Sequence, residues 1–135
     1  MKWSERFSTG ISRIDDQHRM LFKMAEDFRE ALEAGTGSRV YGLLLQSVEQ
    51  YSHAHFGFEE SCMARHVCPA AEINKAAHRQ FLQLLASFQR RFDASGFESG
   101  DARRFVDAID DWIENHISRI DVQIKPYVTG HDATP

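Results

Sequence analysis

Four separate segments of this chain carry apolar residues at three- and four-residue steps. That spacing places the apolar side chains of each segment on one face of an α-helix. No stretch of useful length alternates apolar and polar residues as a half-buried strand would. Four such helices bury their apolar faces against one another, so the pattern predicts an all-α, antiparallel up-down-up-down four-helix bundle. The four stripes are His18, Leu21, Phe22, Ala25, Phe28 and Leu32; Leu44, Val48, Tyr51, His55, Phe58 and Cys62; Asn74, His78, Phe81, Leu85, Phe88 and Phe92; and Phe105, Ile109, Trp112 and His116.

Turn-forming residues separate the four segments. The first break is Gly35-Thr36-Gly37-Ser38, the second contains Pro69, and the third is the Gly- and Ser-containing stretch 94–100. Short breaks of this kind are typical of antiparallel neighbouring helices.

The length and the two ends of the chain predict one domain. The chain has 135 residues, which fits one domain of ordinary size. Residues 1–15 are expected to form an N-terminal arm, and Pro126 and Gly130 end the last helical pattern. We therefore expect a bundle domain over residues 1–127 and a tail or linker over residues 128–135.

Charge and cysteine usage exclude several classes of protein. The net charge of −4 argues against a nucleic-acid partner, because nucleic-acid-binding domains usually present a basic face. The N-terminal segment has no apolar core of a signal peptide, and no apolar run is long enough for a membrane segment. Cys62 and Cys68 fit no zinc-ribbon or redox motif, so we expect two reduced thiols in a cytoplasmic protein.

Each helical stripe contains one histidine at a position where a leucine is expected. These residues are His18, His55, His78 and His116. In the second stripe Glu59 follows His55 by four residues, which places both side chains on one helix face. The sequence therefore predicts imidazoles and a carboxylate that point together into the bundle.

Asp121 is a further candidate that regular helix geometry does not place in this group. It follows His116 by five residues, which is a rotation of about 140° along a regular helix. It reaches the same site only if the end of the helix is distorted. The remaining histidines, His53, His66 and His131, lie outside the stripes and are expected in solvent.

Four buried imidazoles and two carboxylates require a common partner. An unpaired buried charge costs several kcal/mol, and a domain is stable by only about 5–15 kcal/mol. A pair of divalent metal ions satisfies all six groups, since imidazole and carboxylate suit iron, zinc and manganese. Six ligands exceed the need of one tetrahedral zinc. Glu-x-x-His and His-Glu-x-x-His, the ligand motifs of ferritin-like and zincin sites, are absent.

The motifs and their order resemble the hemerythrin family, in particular its bacterial branch. The resemblance covers nearly the whole chain. It rests on Trp3, Gly10-Ile11-Ser12-Arg13-Ile14-Asp15-Asp16-Gln17-His18, His55-Phe56-Gly57-Phe58-Glu59-Glu60, Met63, Pro69, His78-Arg79-Gln80-Phe81, Trp112-Ile113-Glu114-Asn115-His116-Ile117 and Asp121.

The resemblance implies a non-haem di-iron centre that binds O₂ reversibly. By that analogy His18 and His55 hold one iron, and His78 and His116 help to hold the other. Glu59 and Asp121 would bridge the two ions together with an oxo or hydroxo group. The resemblance also implies the distorted helix end that lets Asp121 reach the site.

The sequence departs from the family at one ligand position. The family places a histidine four residues before the residue that matches His78, and here that residue is Asn74. Three outcomes remain open. Either the Asn74 oxygen coordinates the metal weakly, or Asn74 holds a water that fills the ligand position, or the second ion binds poorly. The second outcome is favoured.

The leading functional interpretation is an O₂-binding protein that is not an enzyme. It predicts sensing of O₂ or redox state, or O₂ delivery or storage, with O₂ or small anions as ligands and an exchangeable position on each iron. Two alternatives stay open. One is the sensory domain of a larger signalling protein with a cyclic-dinucleotide or chemotaxis output. The other is a di-iron enzyme that reduces peroxide, nitric oxide or O₂.

Overall fold

The computed structural model describes residues 3–128, and all regular secondary structure within them is helical. Helix α1 packs against α2 and α4, and α3 packs against the same two helices. The turns between successive helices are short, so neighbours run antiparallel, and the predicted up-down-up-down bundle is confirmed. None of the described helices combines the length and the hydropathy needed to cross a membrane. The helices are α1 (Ser12–Glu33), α2 (Gly37–Arg65), α3 (Ala71–Ser95) and α4 (Ser99–Arg119), with 3₁₀ segments at Glu5–Phe7 and Asp121–Tyr127.

The N-terminal arm is shorter than the predicted residues 1–15, because α1 begins at Ser12. Gly10 has a φ of +84°, a left-handed conformation that turns the chain into the helix. The Asp15 carboxylate then accepts hydrogen bonds from the Thr9 backbone N–H at 2.8 Å and from its hydroxyl at 2.9 Å. These bonds fix the arm to the first turn of α1.

The buried face of α2 differs from the predicted stripe. Leu44, Tyr51 and Phe58 are only half-buried, because α2 packs between α1 and α3 and these three residues lie at its margins. The residues that are buried on α2 include Tyr41, Leu45, Val48, Ser52, His55, Phe56, Glu59, Cys62 and Met63. The other stripes are buried as predicted except at three half-buried positions, which are Leu32, Phe92 and Trp112.

The buried apolar residues form two clusters with the polar stripe residues between them. Along α1, His18 lies between Ile14 of one cluster and Leu21 of the other, and along α2, Glu59 lies between Cys62 and Phe56 in the same way. The smaller cluster is Ile11, Ile14, Cys62, Met63, Cys68, Ala70 and Ile124, and both of its cysteines are free thiols. The larger cluster is Phe7, Leu21, Phe22, Ala25, Phe28, Tyr41, Leu45, Val48, Phe56, Phe81, Leu85, Phe88, Ala102, Phe105, Val106, Ile109, Ile113 and Ile117.

The three interhelical turns each contain one residue with a positive φ. Gly35 after α1 has a φ of +82°, and Gly96 after α3 has a φ of +73°. After α2 the corresponding residue is Val67, with a φ of +53°. There the Cys68 backbone N–H donates to the Met63 carbonyl at 2.9 Å, which closes the end of α2.

Candidate metal centre

The structure brings the six predicted ligand residues together in the centre of the bundle. One ligand atom from each residue lies within 4.8 Å of the others in two overlapping groups, which share both carboxylates. Each of the six side chains is buried, with no residue more than 5% exposed. The groups are His18, His55, Glu59 and Asp121, and Glu59, His78, His116 and Asp121.

A break in helical geometry after α4 brings Asp121 into the site. The regular helix ends at Arg119, and Ile120 takes a φ of −115° and a ψ of −58°. Asp121 begins the C-terminal 3₁₀ segment and is 1% exposed. The predicted distortion of this helix end is therefore confirmed.

The two oxygens of Glu59 face two different pairs of imidazoles. Oε2 lies 3.1 Å from Nε2 of His18 and 3.4 Å from Nε2 of His55. Oε1 lies 3.1 Å from Nε2 of His78 and 3.8 Å from Nε2 of His116. One carboxylate thus spans the two pairs, as a ligand that bridges two ions must.

Asp121 spans the same two pairs from the opposite end of the chain. Its Oδ2 lies 3.1 Å from Nε2 of His18, and its Oδ1 lies 3.0 Å from Nε2 of His116. Nε2 of His116 also lies 3.1 Å from Nε2 of His78. Despite these distances, neither Asp121 oxygen has a hydrogen-bond partner among the described residues.

These distances fit ligands around metal ions. Two ligands at right angles, each about 2.1 Å from one ion, lie about 3.0 Å apart. Carboxylate oxygens and imidazole nitrogens with this spacing, but without hydrogen-bond geometry for Asp121, converge on common points. The donor set therefore suits a pair of divalent first-row ions.

Two residues that sequence reasoning missed orient the imidazoles from behind. Nδ1 of His55 lies 2.6 Å from Oε1 of Gln17, and Nδ1 of His78 lies 2.7 Å from Oε2 of Glu60. With Nε2 turned to the centre, each Nδ1–H donates to these oxygens. The sequence did offer a reason to expect them. A metal-bound histidine needs an acceptor for its second ring nitrogen, and Gln17 and Glu60 each adjoin a predicted ligand in the chain.

Aromatic rings fix the orientation of two imidazoles. Phe56 stacks on His78 with ring centroids 3.8 Å apart and an interplanar angle of 7°. Trp112 stacks on His116 at 4.3 Å and 11°. Because each ring is held flat against a neighbour, its Nε2 keeps its direction towards the carboxylates.

The buried groups of the site have strongly shifted pKa values. Burial disfavours the charged imidazole, but Asp121 and Glu59 outweigh it and raise the pKa of His18 to about 9 and of His116 to about 10. Burial lowers the pKa of His55 to about 4. Burial alone would raise the pKa of Glu59, but the surrounding imidazoles hold it well below its usual range. Without metal, His18 and His116 are therefore protonated at neutral pH.

Asn74 lies fully buried on α3, one turn before His78. Its side chain is 0% exposed, and neither its amide nitrogen nor its amide oxygen has a hydrogen-bond partner among residues 3–128. A buried amide without partners costs about 1–3 kcal/mol per polar group, so a group beyond the protein atoms is needed to satisfy it.

Of the three histidines predicted in solvent, His53 is exposed as expected. His66 is half-buried instead, because it ends α2 with its backbone N–H bonded to the Cys62 carbonyl where the chain folds back. His131 lies outside the described residues.

Comparison with known proteins shows the family of the chain. The family described as "Hemerythrin HHE cation binding domain" matches residues 9–128. The chain is 31% identical to a bacteriohemerythrin of Methylococcus capsulatus, over 96% of this chain and 98% of that protein. The chain belongs to the hemerythrin family. It is also 29% identical to a bacteriohemerythrin of Stenotrophomonas maltophilia (96% and 82% covered) and 26% identical to a myohemerythrin of Sipunculus nudus (91% and 89%).

Membership of the hemerythrin family identifies the metal of the centre as iron. This hemerythrin is a di-iron protein that binds O₂, and the two overlapping clusters described above are able to hold the ions.

Proposed function

We propose that His18 and His55 hold one iron, that His78 and His116 hold the other, and that Glu59 and Asp121 bridge them. The support is that each carboxylate presents one oxygen to each imidazole pair, at 3.0–3.1 Å from the nearest Nε2. When bound, the two irons supply the redox chemistry that holds O₂ reversibly. The protein residues keep the imidazoles oriented and enclose the site.

We further propose that this hemerythrin senses O₂ or redox state rather than carrying O₂. The observation that carries the proposal is Asn74, which stands where a third histidine of the His78 side is expected and is buried without a partner. An amide is a weaker donor than an imidazole, so both ions are left with two strong nitrogen donors each. Each ion would then have an exchangeable position, and on the His78 side Asn74 would hold a water there by a hydrogen bond. Such a centre oxidises quickly, which suits a sensor.

The experiment compares the wild type with Asn74→His. Both proteins are loaded with iron, reduced without oxygen and exposed to air while the optical bands of the oxygenated and oxidised forms are followed. We expect the wild type to oxidise several-fold faster, since a third imidazole shields and stabilises the ion in the variant. An oxygenated wild type as long-lived as the variant contradicts the sensing proposal.

The weakly held position also favours a second candidate, reduction of peroxide, nitric oxide or O₂. Steady-state turnover with an added reductant tests it, and turnover that Asn74→His suppresses would support it. Sensing is compatible with a role as the input domain of a larger signalling protein, over residues 1–127. We place the protein in the cytoplasm, a proposal supported by its two free, buried cysteines.

A further inference from the structure

The imidazoles of the two sides have different acceptors behind them. On one side Nδ1 of His55 donates to the neutral amide oxygen of Gln17 at 2.6 Å. On the other side Nδ1 of His78 donates to the carboxylate of Glu60 at 2.7 Å. Nδ1 of His18 and of His116 has no hydrogen-bond partner among the described residues. Glu60 is thus the one carboxylate that this part of the chain places against an outward-facing imidazole nitrogen of the site.

A carboxylate acceptor makes an imidazole a stronger ligand. A hydrogen bond to an ionised acceptor is about twice as strong as one between neutral groups, and it raises the electron density on the other ring nitrogen. His78 receives this effect through Glu60, and His78 lies one helical turn from Asn74. His78, the ligand strengthened by Glu60, and Asn74, which stands in place of a histidine, are therefore on the side of the same ion.

We propose that Glu60 is a positioning residue that compensates for Asn74. By orienting and strengthening His78, it retains the ion that has lost its third histidine. The inference rests on the ligand set proposed above. Glu60 reaches from α2 to α3 with a side chain that is 30% exposed, while the His78 side chain it holds is 2% exposed. If Glu60 only linked the two helices, its effect on iron retention would be the same whichever residue occupies position 74. If Glu60 compensates for Asn74, its effect is smaller when a histidine occupies that position.

The test measures iron release from four proteins. Wild type, Glu60→Gln, Asn74→His and the double variant are loaded with Fe²⁺ without oxygen and mixed with a chromogenic Fe²⁺ chelator. The release phase that Asn74→His slows identifies the ion beside residue 74. Glu60→Gln keeps an acceptor but removes its charge. We expect it to speed that phase about tenfold in the wild-type background and only about twofold in the Asn74→His background. The release phase of the other ion, on the side of His18 and His55, should stay unchanged.

The control is Glu49→Gln, the same substitution at an exposed position of α2. It should leave both release phases as in the wild type, and helicity and the melting temperature of each metal-free variant verify folding. Equal release from wild type and Glu60→Gln, or an equal effect of Glu60→Gln in both backgrounds, overturns the compensation. One iron per wild-type chain also overturns the compensation, whereas a chain that binds no iron overturns the ligand assignment and this inference with it, so the two failures are distinguishable.

Discussion

Tyr41 is a single residue that places a hydroxyl group in the larger apolar cluster. Its side chain is 1% exposed, its ring contacts Phe28 and Phe92, and its hydroxyl has no hydrogen-bond partner among the described residues. A buried hydroxyl without a partner costs about 1–3 kcal/mol. Tyr41→Phe should therefore raise the free energy of unfolding by about 1 kcal/mol at pH 7, measured by chemical denaturation. Tyr127→Phe, at an exposed position, is the control and should have no effect.

The same hydroxyl predicts a signature at high pH. Burial raises the pKa of Tyr41 to about 12, above the ordinary value of about 10. The contribution of the neutral phenol is therefore complete below pH 10 and is lost as the pH rises through 12. Across this window the stability advantage of Tyr41→Phe over the wild type should grow. A difference in stability that stays constant from pH 8 to 12 would be inconsistent with this assignment.

Single residues of the site differ in how far the sequence predicts them. The four histidines and Glu59 follow from helical spacing alone, because each occupies a position in or beside an apolar stripe. Gln17 and Glu60 do not, because their roles depend on how two helices are rotated against each other. Asp121 required a helix distortion, which the resemblance implied and spacing alone did not.

The α2–α3 turn shows how an element tolerates an unfavourable residue. Val67 adopts a φ of +53° and is 81% exposed, whereas the other two interhelical turns use glycine for the same conformation. A β-branched side chain in this region costs about 1–2 kcal/mol. The sequence predicted a break near Pro69 but not this conformation, because valine gives no local signal for it.

Val67→Gly should stabilise the protein. Removing the side chain relieves the strain, and the greater flexibility of glycine in the unfolded chain offsets part of the gain, leaving about 1 kcal/mol. Thermal or chemical unfolding measures the change. Val67→Ala keeps Cβ and should gain less, so equal stabilisation by both substitutions would assign the effect to the branched methyl groups instead.

For the whole molecule, the bundle was predictable because four stripes leave few ways to bury apolar surface. The buried face of α2 was predicted only in part, because Val48, His55 and Cys62 are buried whereas Leu44, Tyr51 and Phe58 are half-buried. The feature that sets the properties of the complete fold is the polar layer between the two apolar clusters. His18 and His116, with pKa values of about 9 and about 10, are protonated in the metal-free protein at pH 7. Metal ions therefore compete with protons for this layer.

Iron should raise the melting temperature more at pH 8 than at pH 6. Binding requires the unprotonated imidazoles, so at lower pH the affinity falls and the stabilisation by bound ligand falls with it. Anaerobic titration with Fe²⁺ in a weakly buffered solution at pH 7 should release protons, among them those of His18 and His116. A melting-temperature increase that is independent of pH, with no proton release, would show that the two imidazoles are neutral before metal binds.

The depth of the polar layer also affects what enters the site. Each of the six ligand side chains is at most 5% exposed, so a molecule that reaches them leaves most of its hydration behind. This step costs a small uncharged molecule little and costs an ion much more. The burial of the layer therefore favours dissolved gases and the neutral forms of weak acids over the corresponding anions.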